Sequence, residues 1–183
     1  MDGKIVATTK KKARQSHSNV KVMLIGFFFD WKGIVHYEFV SRGETVNKEF
    51  YLHVLKRLRE AMRRKRPEAW TNTTWMLNHE NSPAHASLLI REFLTKHETT
   101  VVPQPPYSPD LALADLFLFP KLKSSLKGRR FQMAEEIEEY SIRDLLAIPQ
   151  NTLQDEFQNW RKRWEWCIKS GGEYFEGENF KFR

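Results

Sequence analysis

The sequence predicts an α/β domain built on a mixed sheet with helices packed against it. Two observations carry that prediction. Residues 20–29 form a nearly unbroken apolar run, rich in β-branched and aromatic side chains, as in a central strand buried on both faces. Downstream, segments with helical apolar spacing alternate with short extended ones, the order that places helices against a sheet.

The elements follow in turn. Val20 to Phe29 is the first expected strand, and Trp31-Lys32-Gly33 a tight turn. Ile34 to Val40 returns antiparallel to it. Ser41 to Glu44 turns again, and Thr45-Val46 is expected as a short third strand. Asn47 is placed to cap a helix running to about Lys65, whose Phe50, Val54, Leu55, Leu58, Ala61 and Met62 share one face. Pro67 ends it. Thr73 to His79 reads as a strand. A helix is expected from Pro83 through Leu94, then a short strand from Thr99 to Gln104. Pro103 to Pro109 is too proline-rich for helix or central strand and reads as a rigid loop. Asp110 to about Leu126 is helical, kinked or split at Pro120, and Ala134 to Lys169 is helical with a break near Pro149. Three early antiparallel strands followed by alternating helices and parallel strands are the order of a ribonuclease H-like sheet.

Composition narrows the class. The chain has 183 residues, enough for one domain with a full core, and its 40% apolar content exceeds that of a disordered chain. A net charge of +7 favours an anionic partner, nucleic acid before a membrane surface. The single cysteine, Cys167, excludes an internal disulfide and any cysteine-rich zinc centre. No apolar stretch is long enough to span a bilayer. Residues 1–19 carry five basic side chains and little to bury. They are expected to be a basic flexible leader before a domain spanning 20–183. Lys10 to Arg14 has the character of a nuclear localisation signal or a phosphate-binding arm, so a nuclear location is expected.

Three carboxylates stand at the ends of expected elements: Asp30 after the first strand, Glu80 after the Trp75–His79 segment, and Asp115 after the proline-rich loop. Carboxylates gathered from distant parts of a chain hold hard divalent cations, and a basic chain with such a cluster points to phosphodiester chemistry. Taken singly, Asp30 reads as a turn residue. Asp115 reads as a helix-start residue, in competition with Asp110 as an N-cap. His79 and His85 supply zinc-ligand types but not the spacing of a helical pair. Tyr107 reads as a loop anchor or a base-stacking platform.

Longer words carry a resemblance. Phe28-Phe29-Asp30-Trp31-Lys32-Gly33-Ile34-Val35-His36-Tyr37-Glu38-Phe39, His79-Glu80-Asn81-Ser82-Pro83-Ala84-His85 and Pro105-Pro106-Tyr107-Ser108-Pro109-Asp110-Leu111-Ala112 stand in order, and 34 residues separate Glu80 from Asp115. Leu118-Phe119-Pro120-Lys121-Leu122-Lys123, Leu126-Lys127-Gly128-Arg129-Arg130-Phe131 and Gly171-Gly172-Glu173-Tyr174-Phe175-Glu176-Gly177 continue the series. From about Asn19 onward the chain resembles the catalytic domain of mariner-type DNA transposases of the Tc1/mariner superfamily, without the paired helix-turn-helix modules that precede it there. The resemblance implies a ribonuclease H-like core, DNA as partner and not a small molecule, a homodimer, and two Mg²⁺ or Mn²⁺ ions. Asp30, Glu80 and Asp115 are matched to the three catalytic, metal-binding carboxylates of an enzyme that cleaves transposon ends and joins their 3′ ends to target DNA. His85, Tyr107, Lys121, Lys123, Lys127, Arg129 and Arg130 are the expected DNA contacts.

Two positions depart from the family pattern. Glu80 stands where the family has Asp in a His-Asp-Asn word, and Leu113 where it usually has Pro. The extra methylene of Glu80 displaces its carboxylate by about 1 Å, roughly twice what a catalytic constellation tolerates. A misplacement of that size costs ~10²-fold in rate. The expectation is therefore weak or absent cleavage, with a non-catalytic nucleic-acid-binding or dimerisation protein as the alternative.

Overall fold

The structure is a computed structural model describing residues 4–7, 11–13, 22–40, 44–106, 108, 111–169 and 171. Six strands form one sheet: β1 (Lys4–Ala7), β2 (Lys11–Ala13), β3 (Val22–Asp30), β4 (Gly33–Val40), β5 (Trp75–Asn78) and β6 (Thr100–Val102). The helices are α1 (Lys48–Lys65), α2 (Pro67–Thr71), α3 (Leu88–Lys96), α4 (Phe119–Leu126), α5 (Ala134–Leu146) and α6 (Gln150–Lys169).

β3 is the long central member. β4 covers one edge as an antiparallel hairpin partner, with Asp30 opposite Gly33. β1 and β2 follow one another along the other edge, both antiparallel to β3. β5 then runs parallel to β1, and β6 parallel to β5. This is the mixed sheet expected, antiparallel first and parallel after, with a ribonuclease H-like arrangement of helices on both faces.

Two expectations are corrected. The basic leader was expected to be flexible through residue 19, yet Lys4–Ala7 and Lys11–Ala13 are sheet strands. The open edge of β3 offers backbone partners to segments too short to show a strand pattern of their own. Thr45-Val46 is not a strand; residues 44–47 are irregular and lead into α1. Its place among the antiparallel strands is taken by β1 and β2. The tail after Gly171 and the residues Tyr107, Pro109 and Asp110 lie outside the described residues.

The alternation of β3 divides the core. Phe28 and Val35 face one side and join Tyr51, Val54, Leu55, Leu58 and Met62 of α1, Leu77 of β5 and Ile90 of α3. Phe27 and Phe29 face the other side and join Leu113, Leu118, Leu122, Leu145, Leu153 and Trp160. A strand carrying large apolar side chains on both faces must be covered on both, which accounts for the unbroken apolar run.

The expected helix starts hold in part. Asn47 caps α1, its side-chain oxygen accepting from the Phe50 amide at 2.8 Å. Pro83 does not begin α3: residues 83–86 form a turn, and the helix starts at Leu88. Pro120 was expected to kink or split its helix; the helix instead runs on without a gap and changes pitch just before the proline. Residues Ala114–Leu118 are π-helical, with the Phe119 amide donating to the Ala114 carbonyl, and α4 continues directly from them with Pro120 in its first turn. Proline has no amide to continue the regular ladder, and its ring crowds the carbonyl four residues back.

Candidate nucleic-acid site

The C-terminal end of β5 delivers Asn78, His79 and Glu80. Asn78 is buried and donates from Nδ2 to the Val102 carbonyl at 3.2 Å. Asn81 donates to the Gln104 carbonyl. These contacts fix the Glu80 turn to the segment leaving β6. Against it lies Tyr51 of α1, wholly buried, whose hydroxyl lies 3.0 Å from His79 Nδ1. His85 stacks on Tyr51 at 3.8 Å between ring centroids and parallel to His79 at 5.3 Å. Its Nδ1 lies 3.1 Å from the Glu80 carbonyl oxygen.

Burial first, and then the charge of Glu80, push the Tyr51 hydroxyl far above its ordinary pKa. Burial and the neighbouring His85 hold His79 down at about 3. Tyr51 and His79 are therefore both uncharged at neutral pH, and the contact between them is a hydrogen bond between neutral groups whose direction follows the His79 tautomer. His85, expected as a DNA contact, is 2% exposed and packed between these groups, and among the described residues no zinc-type cluster surrounds the two histidines. Sequence reading missed Tyr51, because a tyrosine on the apolar face of a helix carries no sign of a partner 28 residues away.

Asp115 lies in the layer opposite α1, in the segment packed against Phe27 and Phe29. It lies in the first turn of the π-helical segment, half-buried. Trp160 of α6 donates from Nε1 to the Leu111 carbonyl at 2.6 Å, pinning the chain just before it. Leu113, the departure from the expected Pro, is buried in the core at 1% exposure.

Asp30 does not join Glu80. Its carboxylate is 0% exposed. Oδ2 accepts from Arg66 Nε at 2.8 Å, and Oδ1 accepts from Arg66 Nη2 and the Lys32 amide, both at 2.9 Å. A forked guanidinium pair and a turn amide occupy both oxygens, leaving neither open to a hard cation. Topology gives the same answer. Phe29 of β3, Ala7 of β1 and Asn78 of β5 stand in one row across the sheet. Two strand spacings, roughly 10 Å, separate that end of β3 from β5. β3 runs antiparallel to β5, so Asp30 lies one step toward the start of β5 while Glu80 lies beyond its end. The strand next to β5 is β1, whose Lys-Ile-Val-Ala sequence contains no carboxylate. Among the described residues, no group of three or more His, Cys, Asp or Glu is arranged to hold a metal ion. The described residues thus do not fit the two-metal centre that the resemblance implied.

The expected DNA contacts Lys121, Lys123, Lys127, Arg129 and Arg130 are all exposed, on α4 and the turn that follows it. They sit on the face of the sheet that carries α4 to α6. Tyr107 falls outside the described residues. Among the described residues no helix is long and apolar enough to cross a membrane.

A mixed sheet in this order, covered by helices on both faces, defines a ribonuclease H-like domain. A family model described as "Transposase (partial DDE domain)" matches residues 4–72. The Mos1 mariner transposase of Drosophila mauritiana is 34% identical over 171 residues, covering 90% of this chain and 48% of that protein. The human histone-lysine N-methyltransferase SETMAR is 26% identical over 163 residues, covering 85% of this chain and 23% of that protein. Among solved structures, the Mos1 catalytic domain with Raltegravir and Mn superposes with a TM-score of 0.85 at 32% identity, covering 94% of this chain and 84% of that one. A pre-cleavage Mos1 transpososome superposes with a TM-score of 0.84 at 29% identity, covering 94% and 57%. The chain belongs to the mariner-type transposases, as a catalytic domain. It spans about half the length of the Mos1 transposase and under a quarter of SETMAR.

Proposed function

We propose that this domain engages DNA as mariner-type catalytic domains do, and that phosphodiester cleavage by the chain as it stands is weak or absent. The observation that carries the second half is the closed carboxylate of Asp30, held by Arg66 and the Lys32 amide. Glu80 and Asp115 remain the carboxylates suited to a divalent ion, and Glu80 is a methylene longer than the family's Asp. Solved Mos1 catalytic domains with Mn and with Mg support Mn²⁺ or Mg²⁺ as the ion this pair would take. Two carboxylates hold such an ion more weakly than three.

DNA as partner is supported by the net charge of +7 and by the exposed basic residues after α4. Binding through them is to phosphates, independent of sequence and steeply weakened by salt. A Mos1 paired-end complex supports a homodimer, and Lys10 to Arg14 supports a nuclear location.

The test is nicking of supercoiled DNA in Mg²⁺ and Mn²⁺ by the parent chain, Glu80→Asp and Asp30→Asn, beside duplex binding measured by anisotropy across a salt series. Salt-sensitive binding with background nicking in the parent is expected. Robust nicking by the parent that Asp30→Asn abolishes, with the fold intact, would overturn the reading.

A further inference from the structure

Tyr140 of α5 carries two guanidinium groups on its ring. The Arg129 Cζ lies 4.1 Å from the ring centroid and the Arg143 Cζ 4.4 Å. Phe131 packs beside the same ring at 5.8 Å between centroids. Arg129 comes from the turn after α4, where Gly128 takes a φ of +80°, a left-handed conformation that suits glycine and costs other residues. Arg143 comes from the third turn of α5. The two arginines are therefore brought together by a glycine turn and an aromatic platform, fourteen residues apart in sequence.

Their surroundings say what they are available for. Both side chains are exposed, and neither makes an ion pair among the described residues. α5 is acidic, yet Glu136 is turned to the Gln132 and Met133 amides at the start of its own helix. Stacking on a ring uses the face of a guanidinium and leaves its in-plane N–H donors directed outward. Those donors suit the non-bridging oxygens of a phosphate, and a stacked arginine loses less freedom on binding than a loose one. Lys123, Lys127 and Arg130 stand exposed on the adjoining helix and turn and extend the same charge.

We propose that Arg129 and Arg143, held on Tyr140, form a phosphate clamp that grips the backbone of duplex DNA. The proposal rests on the DNA-engaging reading above and adds Arg143 and Tyr140 to the basic residues of the α4–α5 turn. The clamp reads backbone and not sequence, because nothing in it is shaped for base edges. Its role is to fix the path of the duplex along the α4–α5 side of the domain.

The experiment is anisotropy with a duplex of arbitrary sequence across a salt series, on the parent, Arg129→Ala/Arg143→Ala, Tyr140→Leu and Tyr140→Phe. Each phosphate that the protein no longer neutralises makes the slope of log K against log salt shallower by about 0.9, so the double variant should flatten it by about 1.8. Tyr140→Leu, which keeps both charges but removes the platform, should weaken binding several-fold. Tyr140→Phe, which keeps the ring, should bind as the parent does. Thermal melts identify any variant that has lost its fold, and Tyr140→Leu against Tyr140→Phe then decides the matter. Parent binding with an unchanged slope in the folded double variant overturns the clamp. Absence of salt-dependent DNA binding by the parent overturns the DNA-engaging reading itself.

Discussion

Arg66, the residue that closes α1, grips both oxygens of Asp30 across 36 residues of chain, at 2.8 and 2.9 Å. The pair joins the C-terminal end of α1 to the β3–β4 turn, with the Asp30 carboxylate wholly enclosed and the Arg66 side chain 12% exposed. An aspartate beside a strand end looks the same in sequence whether it serves a metal or a guanidinium. Here it serves the guanidinium.

That relationship gives a first prediction. Arg66→Ala leaves an enclosed carboxylate uncompensated and should destabilise the fold by ~3–5 kcal/mol, measured by urea unfolding. Asp30→Asn/Arg66→Met, which removes both charges, should cost less than Arg66→Ala. A double variant as damaged as Arg66→Ala would show that the ion pair is not the cause.

A second prediction concerns acid stability. Burial alone would raise the Glu38 pKa, but hydrogen bonds from Arg57 and His36, with their charges, outweigh it and hold the group at about 2. Arg57 grips both Glu38 oxygens at 2.6 Å. The folded value lies below the ordinary one of 4.5, so the folded state releases this proton more readily than the unfolded chain. The stabilisation is present in full above pH 4.5 and is lost as pH falls toward 2. Glu38→Gln should therefore be less stable than the parent at neutral pH, with the difference shrinking across that window in denaturant melts. A difference independent of pH would contradict the assignment.

His79 supplies a third. Its folded pKa, held down at about 3 by burial and then by His85, lies below the ordinary 6.5. The unfolded chain takes up this proton first, so the stabilisation is complete above pH 6.5 and falls away as pH drops toward 3. In NMR titrations the His79 ring should stay neutral throughout roughly pH 5 to 8. Tyr51→Phe removes the hydrogen-bond partner of Nδ1 and should cost about 1 kcal/mol. A His79 that titrates near neutrality would refute the buried Tyr51–His79 arrangement.

The metal reading makes a fourth. Because Asp30 has no open oxygen, Asp30→Asn should leave Mn²⁺ binding unchanged in calorimetry, whereas Glu80→Ala and Asp115→Ala should each weaken it. Loss of Mn²⁺ binding in a folded Asp30→Asn chain would restore Asp30 to the metal site.

Much of the fold was legible because apolar pattern follows directly from burial. Phe27, Phe28 and Phe29 sit in succession because β3 is covered on both faces, and Val54, Leu55, Leu58 and Met62 recur because one face of α1 meets the sheet. Asn47 and Pro120 were legible because capping and a missing amide act locally. β1 and β2 were not, since four and three residues are too short for a periodic signal and β2 is mostly lysine.

By itself the sequence determined the class: a sheet strand with two buried faces, the helices that cover them, the basic surface, and the words that place the chain among mariner-type transposases. Those properties depend on residue type and local spacing. Only the tertiary structure decided the company that the Asp30 carboxylate keeps. Strand direction and the reach of Arg66 separate Asp30 from Glu80, and a glycine turn brings Arg129 to the ring that Arg143 already shares. Pairings between residues distant in the chain are set by how layers pack, and nothing in the local sequence encodes them.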